Sequence, residues 1–174
     1  SFAQVIEELP RFTAAERQEL LRNVLELDDE VLSDSELALV EQRLAAYQAD
    51  TASAVAAETM AERFGEIFFV NWNVVVLPEF YSDLEEAGEW YEQKLQGLGT
   101  RFAGEVLDVW ADLAVNPLLG CKKHPRRNIR WRYPAKFPYK IVYSVEEETK
   151  TVVVIALIHA ARHARVLGKR MQGL

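Results

Sequence analysis

Apolar positions along the first fifty residues recur at helical spacing. In TAAERQELLRNVLEL (13–27), Leu20, Leu21, Val24 and Leu25 form one stripe, and Thr13 with Glu16 has the spacing of a capping box. SDSELALVEQRLAAYQAD (33–50) repeats the device, with Ser33 and Glu36 as the box and Leu37, Val40, Leu44 and Tyr47 as the stripe. SAVAAETMAERFG (53–65) predicts a third, weaker helix carrying Val55, Met60 and Phe64 and stopped by Gly65. Three thin stripes make a poor core of their own, so these helices are expected to bury against another surface.

Past Gly65 the pattern changes. VNWNVVVLP (70–78) is rich in β-branched and aromatic residues and ends on proline, which predicts a strand. EFYSDLEEAGEWYEQKLQ (79–96) puts Phe80, Leu84, Ala87 and Tyr91 on one helical face, and TRFAGEVLDVWADLAVNP (100–117) does the same with Phe102, Val106, Val109 and Leu113. The intervening GLG makes the pair a helical hairpin. In NIRWRY (128–133), Ile129, Trp131 and Tyr133 alternate with Arg130 and Arg132, a half-buried strand with one basic face. FPYKIVYSV (137–145) alternates with Tyr139, Ile141, Tyr143 and Val145 on one side, EEETK (146–150) is a hairpin loop, and TVVVIALI (151–158) is apolar on both faces, as a central strand must be. Trp72, Trp90, Trp110 and Trp131 all fall on positions expected to face the core. The whole predicts an α+β protein: a segment of about three helices at 1–66, a junction at 67–70, and a domain at 71–174. The order of that domain is β-α-α-β-β-β, with an antiparallel sheet and the helical hairpin on one face.

Charge sharpens this division. The 174 residues carry a net charge of −7, but unevenly: residues 1–70 hold five Lys/Arg and fifteen Asp/Glu, whereas residues 121–174 hold thirteen and three. An acidic piece is therefore expected to lie against a basic one. ELDDE, with Asp28, Asp29 and Glu30, is expected to dock on CKKHPRRNIRWR, and Leu44 and Tyr47 to supply apolar contact. No apolar run is long enough for a membrane span, the first residues lack the pattern of a signal peptide, and the single cysteine, Cys121, suits a reducing compartment, so a cytoplasmic protein is expected. Metal-ligand spacings, a Gly-rich phosphate loop and a nucleophile elbow are missing from the sequence, and no metal or cofactor is expected.

The strand TVVVIALI runs straight into IHAARHAR (158–165), which brings His159, Arg162, His163 and Arg165 to one end of the sheet. Taken in order, NVVVLPEFYSDLEEAGEWYEQ, GLGTRF, NP, RRNIRWRYPAKFPYKIVYSV and VVVIALIHAARHAR resemble the RelE/ParE superfamily of bacterial type II toxins over residues 71–170. Residues 11–66, through LSDSELALVEQRLAAYQAD and ERQELLRNVLELDDE, resemble helical addiction-module antitoxins. The resemblance implies an antitoxin and a toxin joined in one chain, bound to each other in cis or between chains, with a homodimer possible. It implies first a metal-independent endoribonuclease that cuts messenger RNA on the ribosome; the alternatives are a toxin that binds DNA gyrase without nuclease chemistry, and an inactive module kept as a transcriptional regulator. For the nuclease, Lys140 and Arg162 match functional cations of the family, and Arg130, Arg132, Arg165, Lys122 and Lys123 are expected to contact phosphate. His159 and His163 have the intrinsic pKa to act as acid or base. Where ribonuclease members often carry a tyrosine after this Arg, the chain reads VLGK, and HAAR is equally similar to the gyrase-directed branch.

Overall fold

The computed structural model describes residues 1–28, 31–56 and 71–161. The expectations for Met60, Phe64, Asp29, Glu30, Arg162, His163 and Arg165 lie outside these residues. The N-terminal part holds α1 (Phe2–Glu8), a 3-10 turn at Leu9–Arg11, α2 (Ala14–Asp28), α3 (Asp34–Ala49) and a short strand, β1 (Val55–Ala56). There follow β2 (Asn73–Val76), α4 (Pro78–Lys94), α5 (Leu98–Val115), β3 (Lys122–Lys123), β4 (Arg130–Arg132), β5 (Tyr139–Glu146) and β6 (Thr151–His159).

Both expected capping boxes form: Thr13 Oγ1 accepts from the Glu16 amide while Glu16 accepts from the Thr13 amide, and Ser33 and Glu36 do likewise. Val55 and Ala56 depart from the expected third helix. They pair antiparallel with Val76 and Val75, adding an edge strand to the sheet formed by the later residues. The six strands run β1-β2-β6-β5-β4-β3. β4, β5 and β6 are antiparallel as expected, but β2 lies parallel to β6, with Asn73 opposite Thr151 and Val76 opposite Val154, so the sheet is mixed. The α4–α5 hairpin is the crossover that a parallel pair requires.

On one face, α4 and α5 pack Phe80, Tyr91, Phe102, Val106 and Leu113 against Val76, Ile141, Tyr143, Val152 and Val154. Tyr91, Phe102, Phe137 and Tyr139 form an aromatic nest with centroids 4.9–6.1 Å apart. Burial pushes the Tyr91 phenol far above its ordinary pKa, and its hydroxyl donates to Gln18 Oε1 of α2 at 2.9 Å. On the other face, Ile129, Trp131, Val142, Val153, Ile155 and Ile158 are covered by Leu32, Leu37, Val40, Leu44 and Tyr47 of the α3 segment. Both faces of β6 are thus buried, as its sequence requires. Trp110 and Trp131 are core residues, whereas Trp90 is 45% exposed, contrary to expectation, with Lys94 Nζ 5.1 Å from the centre of its ring.

The hairpin turns at Gly97, whose φ of 83° is left-handed backbone. No Ser, Thr, Asp or Asn caps α5. Instead Glu92 reaches over from α4 and accepts from the Gly97 and Gly99 amides at 2.7 and 3.0 Å, placing a carboxylate at a helix N-terminus. At the second residue of α5, a Cβ on Gly99 would stand 2.4 Å from the Gly88 carbonyl oxygen. Gly99→Ala is therefore expected to separate the two helices and cost about 1–3 kcal/mol in thermal or urea unfolding. Gly104→Ala, where an added Cβ meets nothing within 4 Å, should stabilise by up to about 1 kcal/mol.

Candidate functional interface

α3 crosses the sheet face with Glu36, Val40 and Arg43 at i, i+4 and i+7, all on one side of the helix. Val40 is fully buried in the middle. One turn before it, Glu36 Oε2 lies 3.5 Å from Lys140 Nζ, and the two side chains are 4% and 3% exposed. The same oxygen accepts from the Ser33 amide at 2.8 Å, so one carboxylate caps α3 and pairs with the sheet. Nearly one turn after Val40, Arg43 reaches past β6 to α4 and grips Asp83 with both Nη atoms, at 2.6 and 3.1 Å.

Asp83 and Arg43 also complete the sheet edge. β2 ends at Val76, and β6 carries a bulge at Ile155, between the Val154–Tyr143 and Ala156–Val142 pairs. Beyond β2, the Ile155 carbonyl accepts from Arg43 Nη1 at 3.2 Å and the Leu157 amide donates to Asp83 Oδ2 at 3.2 Å. Buried backbone groups that a neighbouring strand would satisfy are instead satisfied by one side chain from α3 and one from α4.

Around this centre lie further contacts. Arg22, not the expected leucines, is the buried residue of α2; Val24 is exposed. The Arg22 guanidinium sits 4.3 Å from the Tyr133 ring centre, donates to the Pro134 carbonyl at 3.2 Å and holds Glu26 at 2.8 Å, which lowers the Glu26 pKa. Lys122 Nζ approaches the same ring at 5.9 Å. Glu19 pairs with Lys136 at 3.4 Å and Glu41 with Arg127 at 2.9 Å. Leu44 and Tyr47 pack on the sheet as expected, and burial raises the Tyr47 phenol, with Glu146 adding to the effect. Asp28 is exposed, and the segment KKHPRR is met by Glu41 of α3. Among the described residues, three of the four ion pairs joining the two parts place an N-terminal carboxylate on a C-terminal cation; Arg43–Asp83 is reversed.

The expected chemical residues do not share one face. Lys140 stands opposite Ile158 and points to α3. Arg130 stands opposite Tyr143 and Arg132 opposite Ile141, so both project to the α4–α5 side, away from Lys140. Strand alternation causes this: the residues sharing the Lys140 side are Trp131 of β4 and Ile129 just before it. Arg130 donates to Asn128 Oδ1 at 2.6 Å, and Arg132 lies 3.4 Å from Asp112 of α5. Lys123, Arg126, Arg127 and Arg130 line an open cleft of about 730 Å³ together with Glu146, Glu147 and Glu148, so cations and carboxylates share its lining. His159 packs edge-on against Tyr139 at 4.9 Å on the α4–α5 side, and its Nδ1 accepts from the Ala161 amide at 3.1 Å. Among the described residues, no three His, Cys, Asp or Glu side chains gather as a metal site, and no helix is long and apolar enough to cross a membrane.

Sequence reading missed Arg22, Arg43, Glu41 and Asp83. A signal for Arg43 existed: it is one of few cations in an acidic segment and lies seven residues after Glu36, on the same helical face. Asp83 gave none, because its partner is remote in sequence.

The architecture is an α+β fold whose sheet carries a helical hairpin on one face and α3 on the other. Residues 74–164 match the model of the ParE toxin of type II toxin-antitoxin system, parDE, and the chain belongs to that family. Among solved structures, the toxin-antitoxin complex RelBE2 from Mycobacterium tuberculosis is similar at 20% identity, covering 49% of this chain and 94% of that one, with a TM-score of 0.36. No curated protein matches.

The Glu36–Lys140 pair yields a direct test. Glu36→Gln keeps the capping box but leaves a buried ammonium unpaired, and Lys140→Met leaves a buried carboxylate. Each is expected to cost about 3 kcal/mol in urea unfolding, whereas the double variant should recover most of the loss. Additive losses in the double variant would show that the two groups are not coupled.

Proposed function

We propose that this chain is a toxin and its neutralising antitoxin in one polypeptide. The antitoxin unit runs through residue 66, the junction spans 67–70 and the toxin unit is 71–174. The observation that carries this reading is the α3 contact: an apolar sheet face closed by Val40, with the buried cation at its centre, Lys140, held by Glu36. β1 adds to the same cover by pairing with β2 at the sheet edge. Such a partner stabilises what it covers by buried apolar area, and its charges set the register in which it sits.

For the target, a bound protein, DNA gyrase, fits better than cleaved messenger RNA. Cleavage by attack of a 2′-hydroxyl needs a base, an acid and a cation for the phosphorane around one phosphate. Lys140 lies across the sheet from Arg130, Arg132 and His159, so these four do not converge. Membership of the ParE family, together with the HAAR sequence, supports the same side.

Expression of residues 71–174 alone is expected to arrest bacterial growth and inhibit supercoiling by purified gyrase, with translated transcripts left intact. Supplying residues 1–66 should restore both growth and supercoiling. Codon-dependent cuts in translated messages, with gyrase unaffected, would reassign the target to RNA. Unimpaired growth with a folded fragment would remove the toxin reading altogether.

A further inference from the structure

The face beneath α3 has a definite chemical character. Its wall is apolar, with Leu77, Trp131, Val142, Ile155 and Ile158 buried there. One cation, Lys140, stands in the wall, and one carboxylate, Asp83, stands at the outer edge beside the Ile155 carbonyl. Among the described residues, the buried wall offers a phosphate backbone Lys140 alone, with Arg127 at the rim opposite Glu41. A backbone laid there would meet Asp83 at the edge and lose hydration against hydrocarbon.

An amphipathic helix satisfies every one of these groups, as α3 demonstrates. Glu36 meets Lys140, Val40 fills the wall, and Arg43 takes both oxygens of Asp83 and the Ile155 carbonyl. Residues seven apart on a helix are separated by about 10 Å along its axis, so Lys140 and Asp83 act as two fixed points that read a carboxylate and a guanidinium at that spacing. Once α3 leaves, an apolar surface of this extent does not stay in water without a new occupant. We infer that the face under α3 is the docking site for a helix of the toxin's protein target. That helix carries an acidic residue, an aliphatic one four positions later and an arginine three positions after that, and α3 neutralises the toxin by occupying the same site. The inference rests on the toxin–antitoxin reading and specifies the partner's chemistry.

The test uses the full chain with α3 released by charge, Arg43→Glu opposite Asp83, and, as a second route, by Val40→Asp. Each released chain is titrated with a fluorescent synthetic peptide of residues 33–49, with the same peptide bearing Glu36→Lys, and with a single-stranded oligoribonucleotide. The unaltered peptide is expected to bind, the Glu36→Lys peptide about tenfold or more weakly, and the oligoribonucleotide not to displace it. Saturating unaltered peptide should also restore supercoiling by gyrase that the released chain has inhibited, and adding Lys140→Met to the released chain should reduce that inhibition about tenfold. Displacement of the peptide by the oligoribonucleotide would mark a polyanion surface and overturn the inference. Dimers of the released chain that the peptide dissolves would make a second copy the occupant and overturn it too. Gyrase inhibition that persists with peptide bound would place the target elsewhere. A released chain that binds peptide yet leaves both growth and gyrase untouched would instead sink the toxin reading itself, a result distinct from the other three.

Discussion

β6 is apolar on both faces and lies inside the sheet, with β2 on one side and β5 on the other. A strand of that kind cannot leave either face in water, so the fold must supply two covers. The α4–α5 hairpin is one, and it belongs to the same continuous domain as the sheet. The second comes from α3, more than a hundred residues upstream of the strand it covers. The dependence of the sheet on that remote helix is the constraint from which the rest follows: it ties the two parts together and makes the covered face conditional on α3 being present.

Hydrocarbon burial is not directional, so it does not by itself set how α3 lies across the strands. Polar contacts do. Glu36 and Arg43 are pinned at Lys140 and Asp83, two turns apart, and a slip of one residue along the helix would rotate both away from their partners. The pairs on the rim, Glu19–Lys136 and Glu41–Arg127, are more exposed, and each contributes little on its own. Their sum nonetheless follows the charge division of the chain, acidic first and basic last.

Function follows from which side chains share a face. Lys140 is reserved for the α3 side, whereas Arg130, Arg132 and His159 stand behind the sheet, among residues of the α4–α5 layer or in a cleft already lined with glutamates. A face with one cation, one carboxylate and much hydrocarbon has the character of a protein interface rather than of a nucleic-acid groove.

Much was legible in the residues. The capping boxes at Thr13 and Ser33, the α3 stripe of Leu37, Val40, Leu44 and Tyr47, the hairpin at Gly97 and the doubly apolar β6 are all local patterns, determined within a few residues by periodicity and backbone chemistry. Charge segregation along the chain likewise foretold that an acidic part would lie on a basic one. Other features had no local signature. Val55 and Ala56 form a strand because β2 offers an edge, overriding the helical tendency of their neighbours. Arg22 is buried because Tyr133 offers a ring, and Trp90 is exposed because the hairpin turns that flank outward. Alternation alone revealed that Arg130 and Arg132 share a face, but only the pairing of β4 with β5 decided that it is the face opposite Lys140. A sequence encodes which positions share a side within one element; which side of one element meets which side of the next is a property of register, and register exists only once the chain has folded.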